Sequence, residues 1–255
     1  MDDLFLKKRI YRFFDDGNIE ELYDDVIREF RLLIRLDEHD FVHAVCIPFQ
    51  LKEFVIGFLK TRGLIDSFED IVSLDISGNI ASVTRIRRSQ GSVPKLNVLE
   101  TTGTTNIDLN SFTRNRKIIR SDFRVASQVL LKGIQCLSGM SLYTRSGGTH
   151  CAILFSKNGE ALVAAEDLGR HNAVDKVIGG GLKKRLDFTA CWLAVSGRLP
   201  ADMVLKPLLL SIPLVASVSA PTSEGVVLGE RSGLTVVGFA RGGRLNCYCH
   251  PERII

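Results

Sequence analysis

Five polar or glycine-rich segments in the second half of this 255-residue chain combine residue types able to grip an anion. They are Arg145-Ser146-Gly147-Gly148-Thr149-His150, Gly169-Arg170-His171-Asn172, Ser196-Gly197-Arg198, Ala220-Pro221-Thr222-Ser223 and Gly238-Phe239-Ala240-Arg241-Gly242-Gly243-Arg244. The third and fourth lie between an apolar run and a helical pattern. A helix start presents unpaired N–H groups and a positive dipole end, so small or hydroxylated residues there let phosphate approach closely. An arginine adds a planar fork that can hold phosphate through two hydrogen bonds. Taken singly, each turn has a plainer explanation, because glycine at a turn relieves backbone strain. Taken together, Arg170, Arg198, Arg241 and Arg244, placed at turns and not on helix faces, call for a ligand carrying several negative charges.

Other side chains are weaker candidates. His171 could carry a proton or contact phosphate, or be a hydrogen-bonded structural residue near a helix start. His150 and Cys151 are neighbours that point to opposite faces if they begin a strand, a poor nucleophile and base pair. Glu166 and Asp167 could hold a ribose hydroxyl or a metal, but capping the following helix is the simpler role. Cys247-Tyr248-Cys249 would put two sulfurs on one side of a strand, closer together than the Cys-x-x-Cys of zinc or redox sites, and buried inert thiols are the simpler reading. Trp192, in an apolar run, reads as core.

The elements that must position these residues show in the hydrophobic pattern. Phe30 to Leu36 alternates with period two, Asp37 to Asp40 supplies a turn, and Phe41 to Ile47 returns as a second strand. Leu51, Phe54, Val55, Phe58 and Leu59 recur at helical spacing, with Gly63 placed for a left-handed C-terminal cap. Ile71 to Ile76 and Ile80 to Ile86 form a second hairpin around Ser77-Gly78-Asn79. Residues 1–110 thus read as a small α+β hairpin-and-helix domain ending in a polar stretch, Arg87 to Ser121, that reads as a linker or mobile loop. Residues 111–255 read as an α/β domain. A long helix is expected over Asp122 to Leu137, then strands at Ala152 to Phe155 and Ala161 to Ala165, a helix near Ala173 to Ile178 and a strand at Ala190 to Val195. Next come a helix at Ala201 to Leu210, a strand at Leu214 to Ser219, a helix at Ser223 to Arg231 and strands at Leu234 to Phe239 and Leu245 to Cys249. Strands alternating with helices call for a mainly parallel sheet covered on both faces, with ligands at the carboxyl ends of the strands.

Bulk composition narrows the class. Hydrophobic residues at 45% and charged residues at 24% match a globular protein and exclude a disordered chain. Leu208 to Val218, among the longest apolar stretches, is broken by Ser211, Pro213 and Ser217 and falls short of the roughly 20 residues of a spanning helix, so no membrane association is expected. The N-terminus lacks a secretory signal pattern. A cytoplasmic location follows, in which the six cysteines stay reduced. A net charge of +4 argues against nucleic acid as partner.

Arg145 to Phe155 (RSGGTHCAILF), Glu166 to Ile178 (EDLGRHNAVDKVI), Ser196 to Arg198 (SGR), Ser219 to Ser223 (SAPTS), Leu234 to Arg241 (LTVVGFAR) and Pro48 to Leu59 (PFQLKEFVIGFL) resemble the FdhD family of formate dehydrogenase accessory sulfurtransferases. The resemblance implies a cytidine-deaminase-like three-layer α/β fold for the second half, beside the smaller α+β first half. It also implies binding of the molybdenum bis(molybdopterin guanine dinucleotide) cofactor as substrate, with GDP as a mimic of one arm. The family's cofactor segment falls on Gly238, Phe239, Ala240, Arg241, Gly242 and Gly243. To these the junction argument adds Arg170, His171, Ser196, Arg198 and Thr222. The implied partners are a cysteine desulfurase, as sulfur donor, and formate dehydrogenase; a homodimer is compatible with the resemblance.

One feature departs from the pattern. Members of the family carry a Cys-x-x-Cys pair before the long helix, whereas Glu100-Thr101-Thr102-Gly103-Thr104-Thr105-Asn106 has no cysteine. A threonine hydroxyl forms no persulfide. Two readings follow: a sulfurtransferase using Cys136, Cys247 or Cys249, or a chaperone that holds the cofactor without moving sulfur. Zinc deaminase chemistry, suggested by fold analogy, is disfavoured because its His-x-Glu and Pro-Cys-x-x-Cys ligands are absent.

Overall fold

The structure, a computed structural model, describes residues 2–86 and 118–255. It opens with an element the hydrophobic pattern did not reveal, a two-stranded antiparallel ribbon of β1 (Phe5–Phe13) and β2 (Ile19–Ile27). The ribbon hides from a periodicity search because charge pairing holds much of it. Lys7 and Lys8 face Asp25 and Asp24, and Arg12 faces Glu20, cross-strand pairs that favour this register. Only its base is buried, where Phe5 packs with Leu4, Ile47 and Leu142.

The first compact unit follows the expected hairpins. β3 (Phe30–Leu36) and β4 (His39–Cys46) are joined through Asp37 and Glu38, both at positive φ (49° and 72°). This two-residue turn matches the twist of the strands and is tighter than the expected Asp37 to Asp40. Helix α1 (Leu51–Thr61) is closed by Gly63 at φ 68°, with the Gly63 and Leu64 amides bonded to the carbonyls of Lys60 and Leu59, the double hydrogen bond of a Schellman cap. β5 (Ile71–Ser77) and β6 (Ile80–Arg85) complete a four-stranded sheet of order β4-β3-β6-β5, in which β3 and β6 are parallel. Phe54, Val55, Phe58 and Leu59 of α1 fill its core with Leu32, Ile34 and Val83.

The second unit begins differently from the expected long helix. Residues 122–126 are not helical: Val125 bridges Ile254, and the Val125 and Ser127 amides donate to the carbonyls of Arg253 and Ile255. The C-terminus thus captures this backbone, leaving helix α2 (Ser127–Gln135) and a short helix α3 (Ser141–Ser146). Then come β7 (His150–Ser156), β8 (Ala161–Asp167), α4 (Arg170–Lys183), β9 (Cys191–Val195), α5 (Ala201–Leu209), β10 (Leu214–Ser217), α6 (Ser223–Ser232), β11 (Thr235–Arg241) and β12 (Arg244–Cys249).

These strands form one six-stranded sheet of order β12-β11-β10-β9-β7-β8. It is mixed, not mainly parallel. Only β9, β10 and β11 run parallel, while β7 pairs antiparallel with β8 and β9, and β12 with β11. The connections between β7 and β8 and between β11 and β12 are too short for a crossover and can only turn back as hairpins. Helices α4, α5 and α6 cover the face carrying Leu154, Leu193, Val215 and Val236. Helix α2 and residues 123–125 cover the face carrying Ile153, Trp192, Ala216 and Val237, giving three layers. Trp192 is fully buried and stacks on Phe155, core as expected. No helix among the described residues is long and apolar enough to cross a membrane.

The two units meet where α1 crosses α4. A Cβ placed on Gly57 would lie 1.8 Å from the Asp175 carbonyl oxygen, and one on Gly179 would lie 1.9 Å from that of Glu53, so only paired glycines permit this approach. Beside it, the buried Asp175 carboxylate accepts from Thr61 Oγ1 at 2.8 Å and from Lys206 Nζ at 2.6 Å, with Arg62 at 3.5 Å. A second buried pair, Lys176 and Asp167 at 2.6 Å, ties in the first unit through the Ile47 amide, 3.1 Å from Asp167 Oδ2. Most of the expected linker, the Glu100 to Asn106 stretch and the boundary at residue 110 lie outside the described residues.

Candidate functional site

The motif segments form one continuous region because their backbones are laced together. Ser217 Oγ donates to the Gly197 carbonyl at 2.7 Å and receives the Ser219 amide at 2.9 Å. The Leu199 amide donates to Ala220 O, the Thr222 amide to Leu199 O and the Phe239 amide to Ser219 O. Gly238 is buried against Pro221 and Tyr248, where any side chain would collide. The turns after β9, β10 and β11 therefore hold one another in place.

Above them opens a cavity of about 580 Å³, within the size range of small-molecule sites. Ser196, Val218 and Ala240 to Gly242 line it from the carboxyl ends of the three parallel strands, and His150 and Cys151 line it from the start of β7. The end of α2 and residues 147–149 close its sides. This is the sheet edge at which α/β proteins bind ligands.

The expected residues are distributed unevenly around it. Ser196, Ala240, Arg241 and Gly242 line the cavity. Arg241 is exposed and passes over the Phe239 ring, itself at φ 51°; Gly242 and Gly243 (φ 59° and 75°) make the open turn into β12. Arg170 starts α4 with its side chain laid over Gly197, whose missing Cβ leaves it room, and its shielded Nε has no partner among the described residues. Arg170 and exposed Arg198 both act on His150: burial first and then these two guanidiniums hold the imidazole below its usual pKa, with Asp167 opposing. Exposed Arg244 begins β12 beside Gly243.

His171 and Thr222 are placed elsewhere. His171 is 2% exposed, with Nε2 3.3 Å from Asp202 Oδ2, and burial holds its pKa down. Thr222 caps α6, its hydroxyl accepting the Gly225 amide at 3.3 Å. Neither lines the cavity, and neither do Gly238, Phe239, Gly243, Arg170 and Arg198.

The acidic pair is structural. Glu166 accepts the Leu142 and Tyr143 amides at 3.0 and 2.6 Å, so it caps α3, which precedes it, and not the following helix. Asp167 takes Lys176, Asn172 and the Ile47 amide.

The two sulfurs of Cys247 and Cys249 do not share one side of the strand. A register shift between Val236 and Val237 sets Cys249 opposite Val236 and Cys247 opposite Val237. The bulge therefore sends the sulfurs to opposite faces, Cys249 into the core beneath α6 and Cys247 toward the face covered by α2. Burial pushes the Cys249 and Cys191 thiols up to about 11 and those of Cys46 and Cys151 up to about 12. Cys136, in the turn after α2 between cavity-lining Gln135 and Leu137, is the one exposed cysteine.

Sequence reasoning weighed His150 only at the end of its glycine-rich segment and as half of a poor pair with Cys151, whereas it lies on the cavity wall with Nδ1 3.1 Å from Ser196 Oγ. The available signal was its place at the end of a glycine-rich turn before a strand. Buried Lys176 and Lys206 were also missed, since lysine at such positions carries no sequence cue to burial.

Fold and site define a mixed α/β protein of three sheets, with a cavity at the ends of its parallel strands that His150, Ser196 and Arg241 line. Residues 27–255 match the FdhD/NarQ family. A sulfur carrier protein FdhD from Methanothermobacter thermautotrophicus is 34% identical over 98% of this chain and 99% of its own length. Another from Sulfolobus acidocaldarius is 33% identical over 94% of each chain. A crystal structure assigned as a formate dehydrogenase accessory protein, from Desulfotalea psychrophila, superposes with a TM-score of 0.83 at 28% identity, covering 99% of this chain and 100% of that one. The chain belongs to the FdhD/NarQ family.

Proposed function

We propose that this protein is a cytoplasmic accessory factor for formate dehydrogenase maturation that holds the molybdenum bis(molybdopterin guanine dinucleotide) cofactor as cargo. The names of its relatives motivate the maturation role. The lacing of three motif turns beside one cavity that Arg241 lines, with Arg170 and Arg198 near enough to lower the pKa of His150 on its wall, supports the cofactor reading. The residues fit such a ligand. Arg170 Nε is a shielded donor without a partner among the described residues, Gly242 and Gly243 have open space where a Cβ would stand, and arginine forks suit pyrophosphate. The volume suits one nucleotide arm. The second unit, with helices on both faces of its sheet, is read as cytidine-deaminase-like. Titration with GDP tests the binding reading: Arg241→Ala should weaken binding about tenfold or more, as loss of a charge-assisted contact worth about 1.5–3 kcal/mol implies. Equal affinity in wild type and variant would move the site elsewhere.

Sulfur transfer is the other half of the family's role, with a cysteine desulfurase as donor. The buried thiols in this chain resist forming the reactive thiolate, which leaves Cys136 as the accessible carrier. The second reading, a cofactor chaperone without sulfur transfer, is favoured by the absence of cysteine from Glu100 to Asn106. Incubation with a desulfurase and cysteine separates the two: persulfide on Cys136 supports transfer, and no persulfide on any cysteine leaves the chaperone.

A further inference from the structure

His150 begins β7 on the cavity wall, half-buried. Its Nδ1 lies 3.1 Å from Ser196 Oγ, and the same oxygen receives the Cys151 amide at 2.9 Å. A hydroxyl can donate once and accept twice. With a neutral ring, Ser196 donates to Nδ1 and the ring proton sits on Nε2. With a charged ring, Nδ1 donates to Ser196 and Nε2 keeps its proton. The tautomer follows from this bonding logic. Ser196 therefore holds the imidazole in both charge states, and Nε2–H has no protein partner among the described residues in a cavity it shares with Arg241.

The groups acting on the ring come from several elements. Arg170 starts α4, Arg198 follows β9 and Asp167 ends β8; Arg241 and Tyr143 share the cavity, and Cys151 beside it keeps its proton, its thiol pushed up to about 12. Asp167 is already committed to Lys176 at 2.6 Å. The balance around His150 is positive, which favours an anion beside the ring.

We propose that His150 is a phosphate contact of this cavity, donating from Nε2 to an oxyanion and becoming imidazolium as the ligand enters, so that binding a pyrophosphate diester takes up one proton from solvent. The proposal rests on the reading that the cavity holds the phosphates of a nucleotide. In the free protein burial, and after it the two arginines, hold the ring's pKa below its ordinary 6.5 and favour the neutral form; two diester charges offset the arginines and raise its proton affinity. The sign follows. Affinity is greatest below the free-state pKa of His150 and is lost as pH rises through the bound-state pKa, by up to about tenfold per pH unit.

The probe is diguanosine pyrophosphate, two guanosines joined through a pyrophosphate. Its phosphates are diesters and lack the ionisation near pH ~6 of a phosphate monoester, so proton uptake belongs to the protein. Calorimetry on the full chain at pH 7, in two buffers of different ionisation enthalpy, should show uptake of a large fraction of one proton. His150→Gln should abolish the uptake and flatten the pH dependence while the arginines retain weaker binding. Ser196→Ala should weaken binding but keep the uptake, because the ring remains. In wild type alone, one histidine ring signal should shift its titration upward when the ligand is added, a readout that survives even if a variant fails to fold. Binding without proton uptake, or uptake that persists in His150→Gln, overturns the proposal and leaves the cofactor reading intact. No binding at any pH overturns both.

Discussion

Asp175→Asn would expose how far the joint between the two units depends on one buried charge. Asp175 and Lys206 are both fully buried and 2.6 Å apart; among the described residues Lys206 Nζ has one further oxygen, the His171 carbonyl at 3.0 Å. Burial already pulls Lys206 down to about 8 from its ordinary 10.5, against the pull of Asp175. Removing the carboxylate charge leaves the ammonium buried with neutral acceptors only, and breaking a buried pair in this way costs about 3–5 kcal/mol. Asparagine keeps an oxygen for Thr61 and Lys206, so about 3 kcal/mol is expected, a large share of the total stability of about 5–15 kcal/mol. Urea unfolding can be followed through Trp192, the single tryptophan and fully buried, with unchanged m-values confirming that the same surface is exposed. Asp175→Asn combined with Lys206→Met removes the unpaired charge and should recover most of the loss. A single-variant cost below about 1 kcal/mol, or a double variant no more stable than Asp175→Asn, would refute the reasoning.

Gly57→Ala should cost about 1–3 kcal/mol or more in the same assay, because its Cβ would fall 1.8 Å from the Asp175 carbonyl oxygen; a stabilised variant would mean α1 and α4 do not meet there. His171 should make stability fall as pH drops. Its folded pKa lies below the ordinary 6.5, chiefly through burial, so between 6.5 and the folded value the unfolded chain binds the proton first. That slope should disappear in His171→Asn, and a slope of opposite sign would contradict the burial. Alkylation of the native protein should label Cys136 first, since it is the one exposed cysteine, and Cys136→Ser should remove the fast phase; equal labelling of Cys249 would show that its strand opens readily.

Much of the architecture is legible in the sequence. The β3–β4 and β5–β6 hairpins, α1 with its Gly63 cap, and the order from β7 to β12 all came from local signals: period two, period 3.6 and turn residues. The β1–β2 ribbon escaped because lysine, arginine, aspartate and glutamate occupy many of its paired positions, so no apolar face marks it. The helix expected from Asp122 shortened because its first residues bond the chain terminus, which no helical period can announce. The sheet was expected to be mainly parallel because helices alternate with strands. The short links from β7 to β8 and from β11 to β12 were visible in the sequence and pointed the other way.

For the site, sequence determined the residue types: arginines and glycines at turns, and a Glu100 to Asn106 segment without cysteine. Only the tertiary structure decided which of them share a wall. It joined Ser196, Arg241 and His150 around one cavity, turned His171 inward onto Asp202, and separated Cys247 from Cys249 through a one-residue bulge. The physical reason is range. Side-chain spacing along a strand or helix is set by neighbours in the chain, whereas strand register and the meeting of distant turns depend on pairings that the whole core must accept at once.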